Sequence, residues 1–190
     1  MLAGGICEAP GEVVVFLKDS AAVLQRLKFE TLDLVADEHG QPLVNSSHLY
    51  DYQGTVNVGD FDFDGHEDFA VQDSQQGSYG GPTFRVFLFS PGAGTFVRSE
   101  ALSNMTHETL GMFQLDAKRR RLITFAKDGC CMHETDEYAV VRGALVLMAS
   151  VEEDATHDRY VLVTSGHLEG GKWRTATRRQ PTKPTNGTAP

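Results

Sequence analysis

The stretch Phe84-Arg85-Val86-Phe87-Leu88-Phe89 is rich in aromatic and aliphatic residues and predicts a β-strand. The turn-forming residues 90–94 follow it and lead into the apolar run 95–97, as expected of a β-hairpin. Further short apolar runs, separated by Gly, Asp or charged residues, occupy 13–17, 122–125, 138–141, 144–148 and 160–163. Many short strands with regular turn signals favour an all-β fold, which is a sandwich, a barrel or a propeller.

The composition is that of a single globular domain. The chain has 190 residues, of which 41% are hydrophobic and 23% charged. No apolar run reaches the length of a membrane span, so no transmembrane segment is expected. The net charge of −9 disfavours nucleic acid as a partner, because phosphate contacts need clustered Lys and Arg; it favours a cation or a basic protein. We predict one domain over 12–174 and a disordered basic tail over 175–190.

The three cysteines are Cys7 and the adjacent pair Cys130 and Cys131. This count fits no zinc-binding pattern. In an oxidising compartment one disulfide can form, either between Cys7 and one of the pair or as a strained vicinal bridge. The other reading is that all three thiols stay reduced.

An acidic segment at 60–68 carries the most specific chemical signal. Carboxylates stand at positions 1, 3, 5 and 9 of this loop, and Gly65 at position 6 permits a sharp bend. Calcium prefers six to eight oxygen ligands, and a backbone carbonyl at position 7 is one of them. The spacing therefore predicts a calcium site built from Asp60, Asp62, Asp64, the carbonyl of His66, and Asp68.

This loop resembles an EF-hand in its first half only. Position 12 is Val71 rather than a bidentate Glu, and residues 69–71 are typical of a strand. We therefore expect a structural calcium site, with Phe61 and Phe63 pointing into the core between the ligands. The alternative is a solvated acidic turn, whose carboxylates must stay apart because they repel one another.

A second polar loop, residues 72–82, joins two predicted strands and has one aromatic residue near its tip. That residue is Tyr79, flanked by Gly77, Ser78, Gly80 and Gly81. An exposed Tyr suits an interface anchor because it offers a large area at low ordering cost. The other reading is a Tyr that folds back on the core. The glycines match neither a phosphate-binding loop nor a dinucleotide-binding motif.

The sequence gives little support for catalysis. It contains no metalloprotease or hydrolase motif that we recognise. His133 and Glu134 are adjacent in a predicted strand, so their side chains are expected on opposite faces and cannot act together. We expect that the protein is not an enzyme.

Several segments together resemble one bacterial family. They are the acidic loop 60–68, the Gly-Ser-Tyr-Gly-Gly-Pro segment 77–82, and the segments 87–89, 110–113, 129–133 and 137–140. This pattern is similar to the calcium-binding periplasmic immunity proteins of bacteria that kill rivals with a type IV secretion system. The resemblance runs collinearly from about Val13 to Val151.

The resemblance implies a fold, a function and a location. It implies a β-propeller-like arrangement of short antiparallel sheets, and calcium ligands at Asp60, Asp62, Asp64, His66 and Asp68. It implies a periplasmic protein whose signal sequence has been removed, with residues 1–11 as a leader remnant. A lipid anchor in the native precursor, with Cys7 as its candidate site, is also compatible with it.

The partner that this family implies is a lysozyme-like peptidoglycan hydrolase, which the immunity protein inhibits. Such hydrolases act on an anionic wall and are often basic, so an acidic inhibitor would be steered toward them. We expect Tyr79 to enter the hydrolase cleft, with calcium beside its loop lowering the ordering cost of binding.

Two other functions remain open at this point. The acidic loop taken alone is similar to FG-GAP calcium loops, which indicates a calcium-dependent adhesion or glycan-binding module as the alternative. A calcium-dependent hydrolase would need paired carboxylates in a cleft beyond the metal site, and the sequence offers no clear pair.

Overall fold

The computed structural model describes residues 6–45 and 54–182, and this part of the chain is mostly β. The elements are β1 (Ile6–Phe16), β2 (Val23–Val35), β3 (Val56–Gly59), β4 (Asp68–Ser74), β5 (Thr83–Ser90), β6 (Thr95–Ser99), α1 (Glu100–Glu108), β7 (Gln114–Asp116), β8 (Arg121–Asp128), β9 (Met132–Val141), β10 (Ala144–Asp154), β11 (Tyr160–Glu169) and β12 (Lys172–Pro181). A single 3₁₀ turn spans Ser78–Gly80.

The strands form three antiparallel sheets, and none of the three closes on itself within the described residues. A hairpin of β1 and β2 makes the smallest sheet. A four-stranded sheet has the order β3-β4-β5-β6, and a six-stranded sheet has the order β12-β11-β10-β9-β8-β7. Sequence neighbours therefore pair throughout, which is the meander expected from strands joined by short turns.

The four-stranded sheet lies at the centre because both of its faces are apolar. On one face, Phe69, Val71 and Phe87 pack against Phe29 of the β1–β2 hairpin. On the other, Phe84 and Val86 pack with residues from α1, from the loop before β4, and from the first part of the six-stranded sheet. Because successive side chains of a strand point to opposite faces, alternate residues of β5 contribute to two separate hydrophobic cores.

Helix α1 is a difference from the all-β prediction. Ser99 caps its N-terminus by accepting the N–H of Leu102, and Leu102 and Met105 bury one face. Two buried hydroxyls of the helix, Ser103 Oγ and Thr106 Oγ1, accept the N–H groups of Val86 and Phe84 at 3.0 and 2.9 Å. The helix therefore provides hydrogen-bond acceptors for the backbone N–H groups of β5 beyond the point where its pairing with β6 ends.

Strands lie at both ends of the described chain, which changes the predicted domain bounds. Residues 6–11 belong to β1, so they pack as part of the fold and the predicted domain boundary at residue 12 does not hold there; residues 175–181 belong to β12 and are not a disordered tail. Backbone pairing explains both, since β1 pairs with β2 and β12 pairs with β11 along their lengths. Residues 1–5 and 183–190 lie outside the described residues.

The described residues contain no helix that is long and apolar enough to cross a membrane.

Candidate functional site

The acidic loop connects β3 to β4 and gathers three of the predicted ligands. One carboxylate oxygen from each of Asp60, Asp62 and Asp68 lies within 4.8 Å of the others. The strand that follows the loop is β4, so the prediction of a strand in place of an EF-hand helix is confirmed. Gly65 takes a φ of 96°, a conformation that residues with side chains rarely adopt. This glycine therefore permits the sharp bend that the sequence predicted.

Asp68 is the buried member of this group, with 1% of its surface exposed. Its Oδ2 accepts the N–H of Phe61 at 2.7 Å and its Oδ1 accepts the N–H of Phe89 at 2.9 Å. Burial raises the pKa of Asp68 to about 6, although these two hydrogen bonds act in the opposite direction. Asp68 thereby ties the loop to the start of β4 and to the end of β5.

The other acidic residues organise the loop backbone. Asp60 accepts the N–H groups of Asp64 and Gly65 at 2.9 and 3.0 Å, and Asp62 accepts the N–H of Asp64 at 3.1 Å. Burial raises the pKa of Asp62, and the negative charges of Asp64 and Asp60 raise it further. Asp64 lies outside the group of three, and its Oδ1 accepts the N–H of His66.

The aromatic residues of the loop occupy the core, as the alternation predicted. Phe61 and Phe63 are 2% and 7% exposed, and Phe61 meets Phe113 edge to face with centroids 5.4 Å apart. Arg120 lies over the Phe63 ring and donates to the Phe63 carbonyl oxygen. The loop is therefore anchored by apolar contacts on one side while its carboxylates converge on the other.

The donor set fits a hard cation. Three carboxylates held this close raise one another's energy when ionised, and a divalent ion removes that repulsion. Their oxygens, together with nearby backbone carbonyls and water, are the ligands that calcium takes. The residues that would hold the ion are Asp60, Asp62 and Asp68, with Asp64 and the His66 carbonyl close by in sequence.

The Tyr79 loop is closed by its own backbone. The N–H of Gly77 donates to the carbonyl of Gly81, and the N–H of Gly81 donates to the carbonyl of Ser78, both at 3.0 Å. A Cβ on Gly77 would lie 3.0 Å from the Gly81 oxygen, so a larger residue would crowd this closure. Tyr79 has a φ of 58° and is 58% exposed, so of the two alternatives that the sequence left open the structure has the exposed Tyr.

Tyr79 contacts the end of β8 and the turn that follows it. Its hydroxyl accepts the N–H of Gly129, and the Lys127 ammonium lies 4.4 Å from the centre of its ring. Cys130 and Cys131, the next two residues, form a vicinal disulfide, and Cys7 is free and exposed. Of the pairings left open by the sequence, the structure has the vicinal one.

The acidic loop 60–68 and the Tyr79 loop lie at opposite ends of β4. Asp68 begins this strand and Ser74 ends it, so a rise of about 3.3 Å per residue separates the loops by about 20 Å. The expectation that the acidic loop would lie beside the Tyr79 loop is therefore wrong. A hairpin places its turn at the end of the strands remote from the preceding loop.

His133 and Glu134 border a shallow hollow of about 160 Å³ beside the β8–β9 turn. Burial raises the pKa of Glu134, and the charges of Asp136 and Glu152 add to this. Glu152 lies directly opposite Glu134 on β10. The hollow thus holds mutually repelling carboxylates in a strand ladder.

Sequence reasoning missed Lys127 as a neighbour of Tyr79. The two residues are far apart in the chain, and neither the Lys nor its surroundings form a recognisable motif. The only available signal is indirect: the segment 129–133, which begins two residues after Lys127, carries the family resemblance together with the Tyr79 segment.

The chain matches no protein-family model and no curated protein. Among solved structures it is similar to one described as the structure of a Xanthomonas type IV secretion system related protein. The TM-score is 0.73 at 23% sequence identity, and the match covers 94% of this chain and 83% of the other. At this identity the comparison shows a shared fold.

Proposed function

We propose that this protein is a periplasmic immunity protein that binds a basic, lysozyme-like peptidoglycan hydrolase and blocks its active-site cleft. It has no catalytic activity of its own in this proposal. The observation that carries the proposal is the surface formed by Tyr79, Lys127 and the turn at 129–131. Two segments of the family pattern, some fifty residues apart, meet there around an exposed aromatic side chain.

The physical properties of this surface suit inhibition. The Tyr79 loop is held by its own hydrogen bonds, so little conformational entropy is lost when it enters a cleft. The ring offers a large apolar area and is already oriented by Gly129 and Lys127. The net charge of −9 favours encounter with a basic enzyme.

The structural similarity adds a biological setting to the proposal. A protein related to a type IV secretion system has this fold, and we extend that relation to this chain. The propeller-like arrangement is part of the same proposal, with the three antiparallel sheets as its blades.

We also propose that the loop at 60–68 binds calcium through Asp60, Asp62, Asp64, the His66 carbonyl and Asp68. The ion would neutralise the carboxylates and hold the loop to β4 and β5 through Asp68. Its role is structural, because the Tyr79 loop lies at the other end of β4. An exported site meets millimolar calcium, so a dissociation constant of about 10⁻⁴ to 10⁻³ M is sufficient.

Inhibition tests the partner proposal directly. Turnover of labelled peptidoglycan by a panel of basic lysozyme-like and chitinase-like hydrolases is measured with increasing amounts of this protein. We expect saturable inhibition of at least one enzyme, and a loss of about thirtyfold or more in affinity for Tyr79→Ala, as for a central interface anchor. Phe16→Ala is the matched control, since Phe16 is an aromatic residue with 55% exposure that lies beside Asp68, at the other end of β4 from that loop.

Two results would contradict the proposal. A Tyr79→Ala variant that inhibits as tightly as the wild type removes the Tyr79 loop from the interface. Binding to glycan or matrix protein with no effect on any hydrolase favours the adhesion module instead.

Calcium binding is tested by thermal unfolding in chelator and in excess calcium. At twentyfold excess over the dissociation constant, the ion should add about 2 kcal/mol to the free energy of unfolding. Asp62→Asn should abolish most of this gain, whereas Glu67→Gln, an exposed acid in the same segment, should retain it. Equal calcium-dependent gains in the free energy of unfolding of the two variants would contradict the proposed ligands.

A further inference from the structure

The turn between β8 and β9 is short, and most of it belongs to one covalent ring. β8 ends at Asp128 and β9 begins at Met132, so the turn consists of Gly129, Cys130 and Cys131. A disulfide joins the two cysteines to each other. The ring that it closes includes the peptide bond between them.

This ring restricts the backbone of the turn. It contains the bond of the ψ angle of Cys130 and the bond of the φ angle of Cys131, so neither angle can vary freely while the disulfide is intact. The turn must also bring Asp128 opposite Met132, which couples the torsion angles of its residues to one another. Reduction opens the ring, and the turn then populates more conformations.

Hydrogen bonds fix the turn on both sides of the ring. On one side, the N–H of Gly129 donates to the hydroxyl of Tyr79. On the other side, the carbonyl of Cys131 accepts the N–H of Ala155 at 2.7 Å. A change in the conformation of the ring therefore changes the direction of the Gly129 N–H relative to Tyr79.

Tyr79 depends on contacts of this kind for its orientation. Its φ of 58° is uncommon for a residue with a side chain, and such a conformation persists where the surrounding contacts support it. The hydrogen bond from Gly129 connects the end of the Tyr79 side chain to the turn, and the Lys127 ammonium lies over its ring. Loosening the turn thus loosens one of the contacts that orient the exposed ring.

The disulfide is open to chemical attack. Cys130 is exposed and Cys131 is half-buried, so a reductant in solution can reach the sulfur of Cys130. Thiol–disulfide exchange requires this access, because a thiolate has to approach one of the two sulfur atoms.

We propose that the Cys130–Cys131 disulfide is a redox switch for the Tyr79 surface, an inference that rests on the proposed function. The reductant is a dithiol: one of its thiolates attacks Sγ of Cys130, and its second thiolate then displaces Cys130 from the mixed disulfide. Two electrons and two protons pass from the dithiol to the cysteines, which leaves two thiols on the protein and a disulfide in the reductant. The protein binds its hydrolase tightly in an oxidising compartment and more weakly in a reducing one.

Nuclear magnetic resonance of the full chain labelled with ¹⁵N tests the switch without a hydrolase. The Cys7→Ser variant serves as the background, because it removes the free exposed thiol. Reduction with dithiothreitol should speed hydrogen exchange of the Gly129 amide by about fivefold or more and shift the Tyr79 signals, whereas the signals of β4 and β5 should stay in place. Tyr79→Phe, in the oxidised protein, removes the acceptor hydroxyl and should speed exchange of the Gly129 amide in the same way.

Inhibition of a hydrolase tests the consequence for function. The reductant is removed under nitrogen before the hydrolase is added, so that the enzyme is not reduced. Reduction should weaken the affinity by about five- to tenfold, and reoxidation should restore it. The double variant Cys130→Ser/Cys131→Ser should show the same loss without any reductant. In a Tyr79→Ala variant, reduction should cause little further loss, because the side chain that the switch orients is absent.

Any one of three results overturns the inference. They are unchanged exchange of the Gly129 amide on reduction, inhibition by the double serine variant that is as tight as the wild type, and a loss on reduction that is undiminished in Tyr79→Ala. If the oxidised protein inhibits no hydrolase, the proposed function fails, and the Gly129 and Tyr79 signals alone decide whether the disulfide controls the orientation of Tyr79.

Discussion

The four-stranded sheet and the outer strands β9–β12 of the six-stranded sheet are both regular antiparallel ladders, but they are buried to very different extents. In β4 the first five residues are buried, whereas β12 is exposed along almost its whole length. The four-stranded sheet, called the inner sheet below, is covered by the β1–β2 hairpin on one face and by α1 and β8 on the other. Among β9–β12, Val163 and Gly166 are the buried residues.

The difference shows that two kinds of information specify the strands of this protein. Burial of large side chains specifies β4 and β5, since any change of register would move their apolar residues to the wrong core. Backbone pairing and turn geometry specify β11 and β12, which pair in an unbroken register from Tyr160 with Pro181 to Glu169 with Lys172. The inner sheet should therefore dominate the free energy of unfolding.

The largest effect is expected from removing an aromatic side chain in each sheet. Phe84→Ala in the inner sheet should lower the free energy of unfolding by about 3–5 kcal/mol, because it leaves a cavity in a fully packed core. Trp173→Ala in β12 should cost about 1–2 kcal/mol, because Trp173 is 42% exposed and only part of its ring packs, against Gly166. Urea unfolding of the two variants measures both values, and equal losses would show that the outer strands are packed as tightly as the inner sheet.

An isosteric replacement of threonine sharpens the same comparison at a smaller scale. Thr106→Val removes the buried hydroxyl that accepts the N–H of Phe84, and leaving that donor unpaired should cost about 1–3 kcal/mol. Thr164→Val removes an exposed hydroxyl that bonds across to Thr177, where water can replace it, so the cost should be close to zero. Thermal unfolding of both variants suffices, and a larger loss for Thr164→Val would reverse the assignment of the buried sheet.

The buried strands could be predicted from the sequence, whereas the exposed strands specified by backbone pairing could not. The apolar runs at 84–89, 122–125 and 160–163 predicted strands that the structure contains, because half-buried strands carry an apolar signal. β12 gave no such signal, since its side chains are exposed. Its one local indicator was the pair Gly170 and Gly171, whose φ values of 57° and 74° form the tight turn from β11.

Helix α1 was missed for a related reason. Its buried face includes Ser103 and Thr106, polar residues whose hydroxyls serve β5, so the apolar periodicity is weak. The available signals were Ser99 as an N-cap and the spacing of Leu102 and Met105 on one face.

The candidate sites divide in the same way. The grouping of Asp60, Asp62 and Asp68 was predictable because it depends on spacing within one loop. The contact of Tyr79 with Gly129 was not, because it depends on residues brought together from distant segments.

The smallest expected effect is an electrostatic one in the outer strands. Because burial and the charges of Asp136 and Glu152 raise the pKa of Glu134, the folded state favours its neutral form. Ionisation of Glu134 therefore destabilises the fold as the pH rises above its usual pKa of 4.5, and no such cost exists well below it. Glu134→Gln should raise the free energy of unfolding at pH 7 by a few tenths of a kcal/mol, since the side chain is largely exposed and screened, and by nothing at pH 3.5.

Glu153→Gln provides the control for this last comparison. Glu153 is an exposed neighbour of Glu152 on β10, and it lies opposite His133 rather than another carboxylate. Its replacement should therefore bring no gain at pH 7. A gain for Glu134→Gln that persisted at pH 3.5 would mean that shape or hydrogen bonding, not charge, limits this position. The outer strands tolerate two facing carboxylates because water reaches both, and the same pair placed in the inner sheet would cost far more.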